Sequence, residues 1–216
     1  MLKVKGVIFD MDGLMIDSEK LAYKTNIIAA KKYGYELPEA VAINLMGRNL
    51  QDSFKYLEEV FGKDYPAQKI RDEAVRLRYE HYEVHPIEAM PGLYELIDYL
   101  KSKNIKMAVA SSTRKARVIE QLTTIKVIDD IDYIVGGDEE PKGKPEPDIF
   151  LNALKGLNIS NEDALVLEDS KNGILAANNA NINVICIPDV VKHPQNICDL
   201  TYKTLNSLKD VIEEIE

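Results

Sequence analysis

Residues 4–9 form a short apolar run that ends abruptly in Asp10-Met11-Asp12-Gly13. A run of this length, bounded by a turn, predicts a buried strand. From 17 to 85 the spacing of apolar positions becomes helical, and no strand signal interrupts it. SEKLAYKTNIIAAKKYG predicts a helix capped at Gly34, and NLQDSFKYLEEVFG repeats the pattern with a stop at Gly62. AQKIRDEAVRLRYEHYEV predicts a long, charged amphipathic helix.

After Pro86 and the Met90-Pro91-Gly92 turn the pattern alternates. Helices are predicted over 92–103, 114–124, 147–157, 172–179 and 205–215, with strands over 106–110, 132–135, 164–167 and 183–187. Strands alternating with helices imply an α/β fold, a Rossmann-like parallel sheet with helices on both faces. The helical block follows the first strand of that sheet. The expected organisation is a core built from 1–16 and 88–216, with a helical cap at 17–87 inserted into it.

The chain has 216 residues, and its hydrophobic fraction of 45% can furnish a core of that size. No apolar run reaches the roughly 18 residues that a membrane span requires. The apolar stretch near the N-terminus is too short, and turns acidic too soon, for a signal peptide. These features predict a cytoplasmic protein with no membrane partner. A formal net charge of -9 argues against a nucleic-acid partner, which needs a basic footprint. Cys186 and Cys198 are too few and too far apart for a disulfide framework, so both are expected as thiols, Cys186 in a buried strand. His81, His85 and His193 offer too little for a zinc site; His81 and His85 are four apart and read as surface or packing residues.

In an open parallel sheet, ligands bind beyond the carboxyl ends of the strands. The residues at those ends carry the chemistry: Asp10 and Asp12 after the first strand, then Ser111, Ser112 and Thr113. The turn GGDEEPKGKPEPD follows, and Glu168, Asp169 and Ser170 come last. Asp10 and Asp12 project to the same side of an extended segment. With Asp169 and Glu168 they would form an oxygen-rich site suited to Mg²⁺ rather than zinc. A cation there would let an anionic Asp10 approach a phosphate, and Asp12 could move the proton. The hydroxyls at 111–113 and a lysine of the GKP turn would receive the phosphate oxygens.

Singly, each feature is ordinary. An Asp-x-Asp pair is common in turns, Thr113 and Ser170 suit helix N-caps, and Asp138, Glu139 and Glu140 read as a solvated acidic run with no role. The joint, ordered occurrence after successive strands is what points to a site.

FDMDGLMIDSE (9–19), VASST (109–113), GKPEPDIF (143–150) and LEDSKNGI (167–174) resemble the four motifs of the haloacid dehalogenase (HAD) superfamily. The likeness is to the phosphatase and β-phosphoglucomutase-like branch with a helical cap, and it spans essentially the whole chain. It implies Asp10 as nucleophile and Asp12 as acid/base, with Ser111, Ser112 and Lys144 at the phosphate. Lys144 fits the GKP pattern better than Lys142. The resemblance also implies Mg²⁺ held by Asp10, the Asp12 main-chain carbonyl and Asp169, with Glu168 a further metal-site residue. Dehalogenases of the superfamily lack the second aspartate, so Asp12 speaks against dehalogenation. MGRNLQD (46–52) resembles the cap loop that faces the active site, which makes Gly47, Arg48 and Asn49 candidates for substrate selection. Arg48 is read equally as a solvent-facing helix-start residue. β-Phosphoglucomutases carry an arginine where Leu50 stands and a histidine near Ala22, and both departures favour a phosphatase over a mutase.

The expected activity is Mg²⁺-dependent hydrolysis of a small phosphorylated metabolite, a sugar phosphate or similar monoester, through an aspartyl-phosphate. A phosphomutase is the alternative, and a non-catalytic binding module a remote one. No cap lysine stands out for phosphonatase chemistry. The resemblance further implies a monomer whose cap opens and closes on hinges near 16–18 and 87–90.

Overall fold

The structure is a computed structural model that describes residues 1–46, 48 and 50–216. The chain divides into two compact units, Met1–Asp17 with Glu88–Glu216, and Ser18–Ile87.

The larger unit holds a six-stranded sheet in the order β3-β2-β1-β4-β5-β6, with every neighbouring pair parallel. Its strands are β1 (Gly6–Phe9), β2 (Lys106–Ser111), β3 (Tyr133–Gly136), β4 (Ala164–Glu168), β5 (Asn183–Cys186) and β6 (Lys203–Thr204). β1 and β4 are buried at every position, as expected of central parallel strands covered on both faces. The chain builds outward from β1 through β2 to β3, then returns to the far side of β1 for β4. The strand order therefore reverses beside β1, where Asp10 follows β1, Glu168 ends β4 and Asp169 follows it. Helices α5 (Leu93–Ser102), α6 (Lys115–Thr124), α7 (Asp148–Leu157) and α8 (Lys171–Asn179) connect the strands. Phe150, Ala153 and Leu157 of α7 and Ile174 and Ala177 of α8 pack in one cluster with Ile8, Ala108 and Val166 of the sheet.

The smaller unit is helical, with α1 (Glu19–Lys32), α2 (Glu39–Leu45), α3 (Leu50–Phe61) and α4 (Ala67–Val84). Its own core gathers Ala29, Ala30, Val41, Leu57, Ile70 and Ala74, with Tyr35 set edge-on to Phe61 and Tyr65. Gly34 and Gly62 both have positive φ just past α1 and α3, which is how a glycine ends a helix.

Several elements differ from the sequence pattern. The predicted closing helix is a 3₁₀ segment, Leu208–Glu213, fixed by a capping box between Ser207 and Asp210. α2, the four-residue α9 (Gln195–Cys198) and β6 are too short to carry a periodic signal. Both residues of β6 are exposed, so hydropathy does not mark it. Among the described residues, no helix is long and apolar enough to cross a membrane.

Candidate active site

The segment after β1 folds into a tight loop because its apolar side chains anchor it. Met11, Leu14, Met15 and Ile16 are fully buried or nearly so, and the Met11 carbonyl accepts N–H groups from Leu14, Met15 and Ile16. Gly13, at φ +81°, turns the chain so that its N–H donates to the Ile16 carbonyl at 3.0 Å. Asp10 is held in line with the sheet by its N–H, which donates to the Leu167 carbonyl at 3.0 Å.

Lys144 is the hub of the buried part. It is 4% exposed, and its ammonium donates to Asp10 Oδ1 at 2.5 Å, Glu168 Oε1 at 2.6 Å and the Ala110 carbonyl at 3.0 Å. All three of its N–H donors are used, and Phe150 lies beneath it, 4.9 Å from the ammonium to the ring centre. Lys142 is exposed, so of the two lysines in the turn only Lys144 reaches the site.

Glu168 is completely buried, and Glu168 Oε2 accepts both the N–H and the hydroxyl of Ser170. Ser170 is the N-cap of α8 and also accepts the Gly173 N–H, which satisfies a donor of the first helical turn. Asp10, Glu168 and Asp169 each present a carboxylate oxygen within 4.8 Å of the others. Among the described residues this is the group of three that can hold a metal ion. Its donors are all oxygen, the set a hard divalent cation prefers.

Two carboxylates facing one ammonium leave a surplus negative charge in a dry setting. Burial pushes the Asp10 carboxyl up to about 8, opposed by Lys144 and reinforced by Glu168 and Asp12. Burial alone would favour neutral Lys144, but the facing Asp10 and Glu168 carboxylates outweigh it and raise its pKa above the usual lysine range.

Asp12 stands near the rim, where Thr113 donates its hydroxyl to Asp12 Oδ2 at 2.8 Å. This corrects the expectation that Thr113 caps the following helix. Arg114 occupies the N-cap of α6, and Thr113 instead bridges the loops after β1 and β2. Ser111 is 1% exposed and accepts the Thr113 N–H at 3.0 Å, while Ser112 is exposed.

The acidic run at 138–140 is solvated at Asp138 and Glu139, as expected, but it also fastens the local turn. Asp138 accepts the Lys115 N–H, Glu139 accepts the Gly136 N–H, and Glu140 accepts from Asn152. The first two carboxyls are lowered chiefly by these backbone donors, and together they fasten the turn leading towards Lys144. The outward-lying spacing of three acids gave no hint of these bonds.

Of the other candidates, Arg48 is exposed on the helical unit. Its guanidinium donates to the Asn44 carbonyl at 2.6 Å and lies 4.7 Å from the Tyr56 ring centre. Gly47 and Asn49 lie outside the described residues. Two further residues lie against the site: Gly173, where a Cβ would meet the Glu168 carboxylate, and His193, whose Nε2 is 2.6 Å from the Asp169 carbonyl.

The haloacid dehalogenase-like hydrolase family model matches residues 7–187. A phosphorylated carbohydrates phosphatase from Thermotoga maritima is 32% identical over 188 residues, covering 84% of each chain. A β-phosphoglucomutase from Bacillus subtilis is 32% identical over 186 residues, covering 82% of this chain and 80% of that one. The crystal structure of a Clostridium difficile β-phosphoglucomutase superposes with a TM-score of 0.78 at 25% identity, over 98% of this chain and 96% of that one. The chain belongs to the haloacid dehalogenase-like hydrolases. Within that family it is a phosphatase of the phosphatase and phosphomutase-like branch, a phosphoric monoester hydrolase.

Proposed function

We propose that the protein hydrolyses a small phosphorylated metabolite, a sugar phosphate or similar monoester, with Asp10 as nucleophile and Mg²⁺ as cofactor. The observation that carries this reading is the buried Lys144 joined to Asp10 and Glu168 within a group of three carboxylates able to hold a cation. The names of the relatives support phosphorylated carbohydrate as the substrate class.

Asp10 and Asp169, with the Asp12 carbonyl, would hold the ion. Glu168 has hydrogen bonds on both oxygens, and it serves mainly by fixing Lys144. Mg²⁺, when bound, offsets the negative charge that phosphate brings to an acidic pocket. Asp10 attacks phosphorus as the bond to the alcohol breaks, and Asp12 gives its proton to the departing oxygen. Water then attacks the aspartyl-phosphate, Asp12 takes up the water proton, and phosphate leaves with Asp10 restored. Ser111, Ser112 and Lys144 receive the phosphoryl oxygens. The helical unit serves as a cap in which Gly47, Arg48 and Asn49 select the substrate.

Inorganic phosphate release from a panel of phosphorylated metabolites tests this reading, with Mg²⁺ or with chelator. Release that requires Mg²⁺, and that disappears in Asp10→Asn, is expected. Release independent of both would overturn the proposal. Turnover only when a bisphosphorylated sugar is added would assign a phosphomutase instead.

A further inference from the structure

His193 Nε2 lies 2.6 Å from the main-chain carbonyl oxygen of Asp169. We propose that His193 is a positioning residue that sets the carboxylate of Asp169 for metal binding. The inference rests on the reading of Asp169 as a ligand of the divalent cation.

The turn from Glu168 to Ser170 is otherwise fastened on either side of this carbonyl. The Glu168 carbonyl accepts the Ile187 N–H at 2.8 Å, and the Ser170 carbonyl accepts the Ile174 N–H at 3.0 Å. The carbonyl between them has no place in the sheet ladder and precedes the helix. A carbonyl only accepts, so His193 Nε2 must carry the proton, which fixes the neutral ring in one tautomer.

The loop that delivers the ring is itself built. The Cys198 thiol donates to the His193 carbonyl at 3.6 Å, and Pro194 caps α9 with its carbonyl accepting the Ile197 N–H at 2.9 Å. His193 is half-buried, so its bond to Asp169 is partly shielded from water. Loss of this bond would loosen the Asp169 backbone that carries the carboxylate, and so its setting relative to Asp10 and Glu168. The Ser170 N–H of this peptide plane donates to Glu168 Oε2 at 3.1 Å, and His193, from the loop after β5, holds the carbonyl end.

Outer partners of metal ligands alter metal affinity by about 10- to 100-fold when removed. The test is Mn²⁺ binding without substrate, followed by the electron paramagnetic resonance of the free ion. His193→Leu keeps bulk but loses the donor, and should weaken Mn²⁺ binding about tenfold. His193→Gln places an amide N–H where Nε2 stood, and should restore most of that affinity. Equal affinity in wild type and His193→Leu would overturn the proposal, as would equal losses in the Leu and Gln variants, which would mark a packing role. If the Leu variant does not fold, ¹⁵N spectroscopy of the wild-type ring decides, since a neutral ring unprotonated at Nε2 also contradicts it. Asp169→Asn separates the two levels of inference. Should it bind Mn²⁺ normally, the metal-site reading fails; should it lose Mn²⁺ while both His193 variants retain it, only the role of His193 fails.

Discussion

A Cβ atom on Gly173 would stand 1.8 Å from the carboxyl carbon of Glu168. The absence of a side chain in the first turn of α8 is what allows Glu168 to occupy its place. Its carboxylate cannot step aside cheaply, because Lys144 and Ser170 bind its two oxygens. Gly173→Ala therefore breaks a buried ion pair or displaces the helix start. The expected cost is about 3 kcal/mol, measured by urea unfolding, together with weakened divalent-ion binding. Glycine-to-alanine in a helix ordinarily stabilises by up to about 1 kcal/mol, so the sign alone is diagnostic.

Thr113 and Asp12 form a second pair, from loops 101 residues apart in sequence. Thr113→Val preserves shape and removes the hydroxyl donor. If the bond orients the acid/base, turnover falls by about tenfold while thermal stability changes little. Unchanged turnover would show that Asp12 finds its working position unaided.

The buried acidic group also makes the metal-free protein sensitive to pH. The folded pKa of Asp10, about 8, lies above its ordinary 3.8, so the folded chain holds the proton more tightly than the unfolded one. Its contribution to stability is full below the ordinary value and is lost as pH rises through about 8. In chelator, the wild type should lose more stability than Asp10→Asn between about pH 4 and pH 8. Adding Mg²⁺ should remove most of that difference. Parallel profiles for the two proteins in chelator would contradict the assignment.

The two thiols should differ in reactivity. Cys186 is fully buried and pushed up to about 12, first by burial and then by Asp169 and Glu168, whereas Cys198 is half-buried. A thiol reagent should label only Cys198 in the native protein and both residues after denaturation. Labelling of Cys186 in the folded state would show that the β5 end opens.

The pattern of apolar runs shows the central strands because β1 and β4 are buried on both faces and so read as continuous hydrophobic segments. It shows the acidic cluster because strand ends place Asp10 and Asp169 at one edge of a parallel sheet. What it conceals are contacts made by exposed or partly exposed polar groups. Thr113 suits a cap by sequence, the acids at 138–140 show no role there, and His193 is only one of three scattered histidines. Each finds its partner through the three-dimensional course of a loop, which hydropathy does not encode. Gly173 was readable in principle, since a glycine inside a helix needs a reason, but the reason is a side chain from another element.

The central claim is that Asp10 becomes phosphorylated during turnover. The direct measurement is to quench the enzyme during hydrolysis of a substrate from the phosphate-release panel, reduce it with borohydride and identify the modified residue by mass spectrometry. Conversion of Asp10 to homoserine, dependent on substrate and on Mg²⁺, is the predicted result. Continued phosphate release with Asp10 unmodified, or with the modification on another residue, would contradict the account.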